Sequence, residues 1–301
     1  MSGGFTAIDL AQLPVPDVIE VIDFETILAE MKADLISRDA SLADVLQLES
    51  EPVVKLLEVC AFRETVLRQR VNEAAKANML AYALGTDLDN LGALFGVTRL
   101  LIDAGDPDAV PPVPATYEAD DDYRRRITLA LEGYSTAGPE GAYIFHALSA
   151  DGDVLDASAI SPTPGDVVVT VLSRTGDGTA GQALLDAVDA TLSAESVRPL
   201  TDHVTVQSAA IIDYAITATL YFYAGPGSTE VMAAAQTAAE AYTAEQHALG
   251  RDVTLSGIYA ALHQPGVQRV DLTAPAADIV VDRQQATYCT AITLTNGGID
   301  E

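Results

Sequence analysis

Residues 53–81 read VVKLLEVCAFRETVLRQRVNEAAKANMLA. Val53, Leu57, Cys60, Glu64, Leu67, Val71, Ala74, Asn78 and Ala81 follow one another at alternating spacings of four and three, a heptad seam with polar interruptions at Glu64 and Asn78. Val54, Leu56, Val59, Phe62 and Val66 add a second apolar face in its first half, more than one partner surface covers. Ser50 is an N-cap candidate, Pro52 suits a first turn, and Gly85 is the next residue fitted to a left-handed C-terminal cap. The stretch predicts a helix of about 34 residues, about 50 Å long at 1.5 Å per residue, more than a small domain needs over its own core. Two readings fit that surplus. The helix folds back onto its neighbours at 23–37 and 87–95, or it joins a helical bundle with other chains, Glu64 and Asn78 then setting register.

Upstream, Asp23 is placed to cap a helix whose apolar residues are Phe24, Ile27, Leu28, Met31 and Leu35. Downstream, Ala83–Leu100 reads ALGTDLDNLGALFGVTRL, a glycine turn followed by a short helix. Residues 103–119 carry Pro107, Pro111, Pro112 and Pro114 among Asp and Ala, which predicts a stiff connector and the main domain boundary. Asp120–Asp122 then place negative charge at a helix N-terminus, and Arg124, Arg125 and Arg126 follow one turn later. These arginines read as solvated helix residues or as candidates for ion pairs with a neighbouring acidic subunit.

From Pro139 the periodicity alternates between helix and strand. Helix 139–149, strand 153–160, the turn SPTPGD, strand 167–173, helix 181–193 and strand 203–207 form one series; strand 213–223, helices 229–247 and 256–263, and strands 267–273 and 286–295 form a second. Both suggest small modules of the split βαβ kind, the last two strands forming a hairpin. Ile211–Tyr223, IIDYAITATLYFY, is apolar and β-prone almost throughout, as a central or interface strand would be. The fold class expected is α+β: a helical arm at 1–102, the proline-rich link at 103–119, and α+β modules at 120–210 and 211–301.

Composition limits what such a chain does. Sixteen Lys and Arg stand against 44 Asp and Glu in 301 residues, a formal net charge of −28, which repels nucleic acid and anionic membrane. The imbalance is uneven: net −8 over residues 1–100 and net −20 over 101–301. Cys60 and Cys289 lie in apolar runs and read as buried free thiols. MSGGFTAIDL has no basic n-region, and no stretch is long and apolar enough to span a bilayer. Asp87, Asp89 and Gly92 echo a calcium loop, but Leu91 and Thr98 stand where oxygen ligands belong. GDGTAG at 176–181 reads as a strand-to-helix turn, and His146, His203, His247 and His263 occur singly. No catalytic residue, metal or cofactor is expected.

Several segments carry a resemblance. GRDVTLSGIYAALHQPGVQRVDLTAPAADIVVDRQQATYCTAITLT at 250–295, RPLTDHV at 198–204, the Ala83–Leu100 stretch, and IDLAQLPVPDVIEVIDFETILAE near the start resemble the tail baseplate J family of contractile-tailed bacteriophages. The resemblance runs from about residue 7 to 299 and implies a structural subunit of a baseplate wedge, which rings the tail tube and anchors the sheath. It implies self-association, with two copies per wedge in a six-fold baseplate, and contacts with other wedge proteins and a tail-fibre attachment protein. The N-terminal helices would join a bundle with partner subunits and the C-terminal modules would meet another copy. Assembly would occur in the host bacterial cytoplasm. The alternative is a soluble adaptor or fibre-attachment module without catalytic activity.

Overall fold

The computed structural model describes residues 10, 13, 14, 16–135, 138–225 and 227–300. Part of the opening stretch that carries the resemblance, and Pro226 in the turn after the apolar strand, lie outside them. Ile8–Thr98 and Arg99–Glu301 fall into two compact units, so the division lies just before the proline-rich segment and not within it.

The first unit is helical. α1 (Phe24–Arg38) begins as its sequence requires: the Asp23 carboxylate accepts from Thr26 N at 2.9 Å and Thr26 Oγ1 at 2.6 Å. Those bonds, the hydroxyl first, hold its pKa below the usual carboxylate range. Two short 3₁₀ turns, Ala40–Leu42 and Val45–Gln47, lead into α2 (Pro52–Ala77). Pro52 occupies the first turn, but Glu51, and not Ser50, is the residue at the N-cap, and it makes no side-chain capping bond.

α2 is also shorter than its periodicity predicts. It has 26 residues, about 39 Å, because Asn78 ends it. The Asn78 side-chain amide donates to Ala74 O at 2.8 Å, and the backbone tightens into turns in which Tyr82 N and Ala83 N both donate to Met79 O. Asn competes with the helical ladder in this way wherever it sits near a terminus. Gly85, at φ +51, opens the next helix, α3 (Gly85–Ala93), instead of closing α2. Ala81 therefore lies beyond the helix that was to carry it.

The second unit begins with a hairpin where a connector was expected. β1 (Leu101–Asp103) and β2 (Thr116–Tyr117) pair antiparallel, and Asp106 and Val113 exchange backbone bonds at 2.9 Å each. Gly105 makes the turn possible: at φ +66 its backbone runs against Val113 O and leaves no room for a Cβ.

Beyond the hairpin come α4 (Asp120–Gly133) and α5 (Glu140–Leu148), then β3 (Val154–Thr163), β4 (Asp166–Ser173), α6 (Gln182–Leu192) and β5 (His203–Ser208). The sheet order is β3-β4-β5, β4 antiparallel to β3 and parallel to β5. α5 and α6 cover it, burying Ala147, Val169, Val171, Val188 and Leu192. The second module follows at once with β6 (Ala210–Phe222), α7 (Ser228–Gln246), α8 (Leu255–Leu262), β7 (Val267–Ala274) and β8 (Gln285–Ile299).

Its order is β7-β6-β8, so β6 is the central strand its apolar sequence suggests. Ile216, Ala218 and Leu220 point from it into a core closed by Ala235, Ala239, Ile258 and Leu262. β7 and β8 do not form a hairpin: β6 lies between them, antiparallel to β7 and parallel to β8. The connection at 275–284 crosses from one edge to the other. Neither module is split, because in each the parallel strands are direct neighbours. In both, a central strand has one parallel and one antiparallel partner, but the antiparallel one precedes it in the first module and follows it in the second.

The two modules are fastened together. The Asp156 carboxylate, buried on β3, accepts from Arg125 Nη2 at 2.6 Å and from Leu249 N at 3.0 Å. Ser158 Oγ donates to Arg283 O, and Arg283 pairs with Glu140. Leu172, Ala209 and Ala286 form a small shared core beneath these bonds.

Candidate assembly interface

α2 has two apolar faces with different fates. At about 100° per residue, Val54, Leu57, Ala61 and Asn72 share one side. There Val54, Ala61 and Asn72 are buried, and Leu57 packs with Ile27, Leu28 and Ala61 against α1. Leu56, Val59, Phe62, Val66, Leu67 and Val71 occupy the opposite side and are 50% to 64% exposed. Arg63 and Arg70 stand among them, exposed and with no ion pair among the described residues, on a chain otherwise crowded with carboxylates.

The proportions of this unit are unusual. Eight of its described apolar residues are buried, while twelve large ones are exposed. A soluble monomer rarely shows so much apolar side chain in one place unless the surface has a use. At about 1.5–3 kcal/mol per fully buried large side chain, covering the stripe on α2 would contribute more than the α1–α2 contact itself.

The heptad seam read from sequence is thus divided. Val53 and Leu57 are half-buried, and Glu64 is partly exposed, accepting from Arg68 Nε and Nη2 at 2.9 and 2.6 Å. Cys60, Leu67, Val71, Ala74 and Asn78 are exposed, so Cys60 is a surface thiol and not a buried one. The seam sits between the packed face and the open stripe because the packed side of α2 runs along 54, 57, 61 and 72. Asn72, to which the sequence reading gave no role, is a buried polar residue of the packed face.

The arginine cluster is spoken for within the chain. Arg126 is buried and pairs with buried Glu118, Nε to Oε1 at 2.8 Å and Nη2 to Oε2 at 2.7 Å. Arg124 pairs with Asp121, and Arg125 with Asp156. Burial removes Arg126 from any contact with a neighbouring subunit, and only Arg125, half exposed, keeps a guanidinium edge at the surface.

Elsewhere the described residues offer little chemistry. One cleft of about 590 Å³ is lined by Asp121, Asp122, Arg125, Asp156, Glu245 and His247. Among the described residues no His, Cys, Asp and Glu gather in a metal-holding group, and no helix is long and apolar enough to cross a membrane. His146 lies in α5 and His203 in β5, while His247 and His263 directly follow α7 and α8. GDGTAG is the turn between β4 and α6, with Gly176 and Gly178 at positive φ.

A two-module α+β body with an apolar helix surface left open defines an assembly protein more readily than a catalyst. Comparison with known proteins gives the class a family. The baseplate J-like N-terminal, central and C-terminal domain models match residues 49–106, 135–208 and 214–295. Baseplate protein J of Escherichia phage P2 is 56% identical over 299 residues, covering 98% of this chain and 99% of that protein. A baseplate subunit of the anti-feeding prophage gives a TM-score of 0.40 at 16% identity, over 60% of this chain and 44% of that one. The chain belongs to the baseplate J-like family. It is a structural subunit of the virion tail baseplate.

Proposed function

We propose that the chain is a wedge subunit that joins the baseplate by laying the open stripe of α2 against helices of other baseplate proteins, helping to anchor the sheath around the tube. The observation that carries this reading is the exposed row from Leu56 to Val71 with Arg63 and Arg70 embedded in it. An apolar helix flanked by acidic side chains fits such a surface, because apolar burial supplies affinity and the two arginines select the partner. Two α2 stripes facing each other would instead oppose arginine to arginine, so this face suits a different protein better than a second copy.

The test uses the full chain with its neighbouring baseplate proteins. Leu56→Asp, Leu67→Asp and Val71→Asp together place three charges in the contact, which weakens binding more than about a hundredfold. Circular dichroism of the isolated chain stays unchanged, since none of the three packs on α1. Normal assembly of the triple variant with all its neighbours would end the proposal.

A further inference from the structure

The hairpin of β1 and β2 stands clear of the unit it grows from. Between Leu101 and Tyr117 only Gly105 and Ala109 are partly covered. The exposed residues are largely apolar: Val110 is 97% open to solvent, Tyr117 57%, Val113 50% and Leu101 49%. So short a two-stranded ribbon does not hold itself together in water, and its root does that work. Arg99 donates to Glu118 O and to Asp120 Oδ1, each at 2.7 Å. Glu118 N donates to Leu100 O at 2.9 Å, and the Glu118 carboxylate, buried against Arg126, accepts from Leu100 N at 3.2 Å. Gly152 lies so close to Leu101 O that no Cβ fits between them. Pro107, Pro111, Pro112 and Pro114 fix φ along the stem. The arm is therefore held in one shape before anything touches it, which lowers the ordering cost of a contact.

We propose that this arm inserts into an apolar groove rimmed with lysine or arginine on a different protein of the baseplate. Apolar side chains held out together on a rigid stem mark a contact surface. The prolines set its mode. Without N–H groups at 107, 111, 112 and 114 the backbone cannot be extended as a sheet, so Leu101, Val110, Val113 and Tyr117 carry the contact through their side chains. Charge sets the partner. The only charged residues of the segment are Asp103, Asp106 and Asp108, all exposed and with no ion pair among the described residues. Asp103 and Asp106 each commit one oxygen to the turn, accepting from Gly105 N at 2.8 Å and Asp108 N at 2.9 Å, and keep the other. The same three charges oppose an anionic bilayer and a second chain of net charge −28. The α2 stripe calls for acidic side chains and this arm for basic ones, so the two surfaces make different contacts. The inference rests on the chain's place in the baseplate and not on the reading of α2.

A photocrosslinking residue, p-benzoylphenylalanine, in place of Val110 tests this in baseplates assembled with the full chain. Irradiation is expected to join position 110 to another baseplate protein, at an apolar site flanked by lysine or arginine. Against that protein in purified form, Val110→Asp with Val113→Asp lowers affinity at least tenfold. Asp103→Asn, Asp106→Asn and Asp108→Asn together keep the acceptor oxygens of the turn. They lower affinity at low salt and flatten its fall as added salt shortens the screening length to about 8 Å. Both variants retain the native circular dichroism. Should the valine variant fail to fold, the crosslink and the asparagine variant decide. No crosslink in assembled baseplates, a crosslink only to a second copy of this chain, a crosslinked site rimmed with carboxylates, or an affinity that either variant leaves unchanged would each overturn the proposal. The crosslink reports the arm alone, whatever covers α2, so either reading can fail without the other.

Discussion

Glu20 and Asn72 hold each other in both directions: Glu20 N donates to Asn72 Oδ1 at 3.1 Å, and Asn72 Nδ2 donates to Glu20 O at 2.9 Å. A buried side-chain amide thereby satisfies both backbone groups of one residue in the segment before α1. It pins that segment against the C-terminal part of α2, on the side away from the open stripe.

Asn72→Leu leaves both Glu20 backbone groups without these partners at a partly buried site. It should destabilise the N-terminal unit by about 1–3 kcal/mol, measured by urea unfolding followed by helical circular dichroism. Asn72→Asp keeps the acceptor but replaces the donor with a buried carboxylate oxygen facing the Glu20 carbonyl, and should cost at least as much. Equal stability of the Leu variant and the native chain would show that the clamp contributes nothing.

Removing Arg126 should cost more. Glu118 and Arg126 are each 4% exposed, and the Glu118 carboxylate also accepts from Leu100 N at 3.2 Å. Arg126→Met strands a buried carboxylate, with an expected loss of about 3–5 kcal/mol. Changing Glu118→Leu as well should recover more than half of it, a coupling read from a double-mutant cycle in denaturant. Additive losses would mean that the two residues act independently.

Asp156 fastens the first module to the second, so Asp156→Ala should loosen the joint more than either core. The expected loss is about 1–3 kcal/mol, with calorimetry resolving two transitions and limited proteolysis cutting near Ala209. A single transition at the original temperature would contradict the joint.

Tyr143 supplies a pH signature. Burial first, and then the hydrogen bond from its hydroxyl to Asp202 at 2.7 Å, raise its pKa above the ordinary tyrosine value. The folded state therefore holds this proton more tightly than the unfolded chain. Its contribution is complete below about pH 10 and is lost as the pH climbs from there through the higher folded value. Tyr143→Phe should lower stability at neutral pH and flatten part of the alkaline decline, as followed by unfolding at a series of pH values. An unchanged alkaline slope would remove Tyr143 as its source.

Much of this architecture is legible in the chain because local signals and burial agree. Asp23 caps α1, Pro52 opens α2, and IIDYAITATLYFY becomes the middle strand of its sheet, since a strand apolar along its length has a neighbour on either side. Other parts depend on pairings that spacing does not encode. Asn78 fits a polar seam position as well as a helix end, and the bond to Ala74 O decides between them. Gly85 serves at either terminus of a helix. β7 and β8 look like a hairpin until the ten residues at 275–284 prove to cross the sheet. For the candidate interface, the four-three spacing runs beside the exposed stripe of α2, because the sequence reading took no account of Asn72, whose burial marks the packed face.

The most direct measurement of the central claim is a reconstruction of the assembled baseplate that resolves α2. Leu56, Phe62, Leu67 and Val71 should be buried against helices of another baseplate protein, with acidic side chains within ion-pair distance of Arg63 and Arg70. A stripe that remains open to solvent in the assembled particle, or that is covered only by a second copy of this chain, would contradict the account.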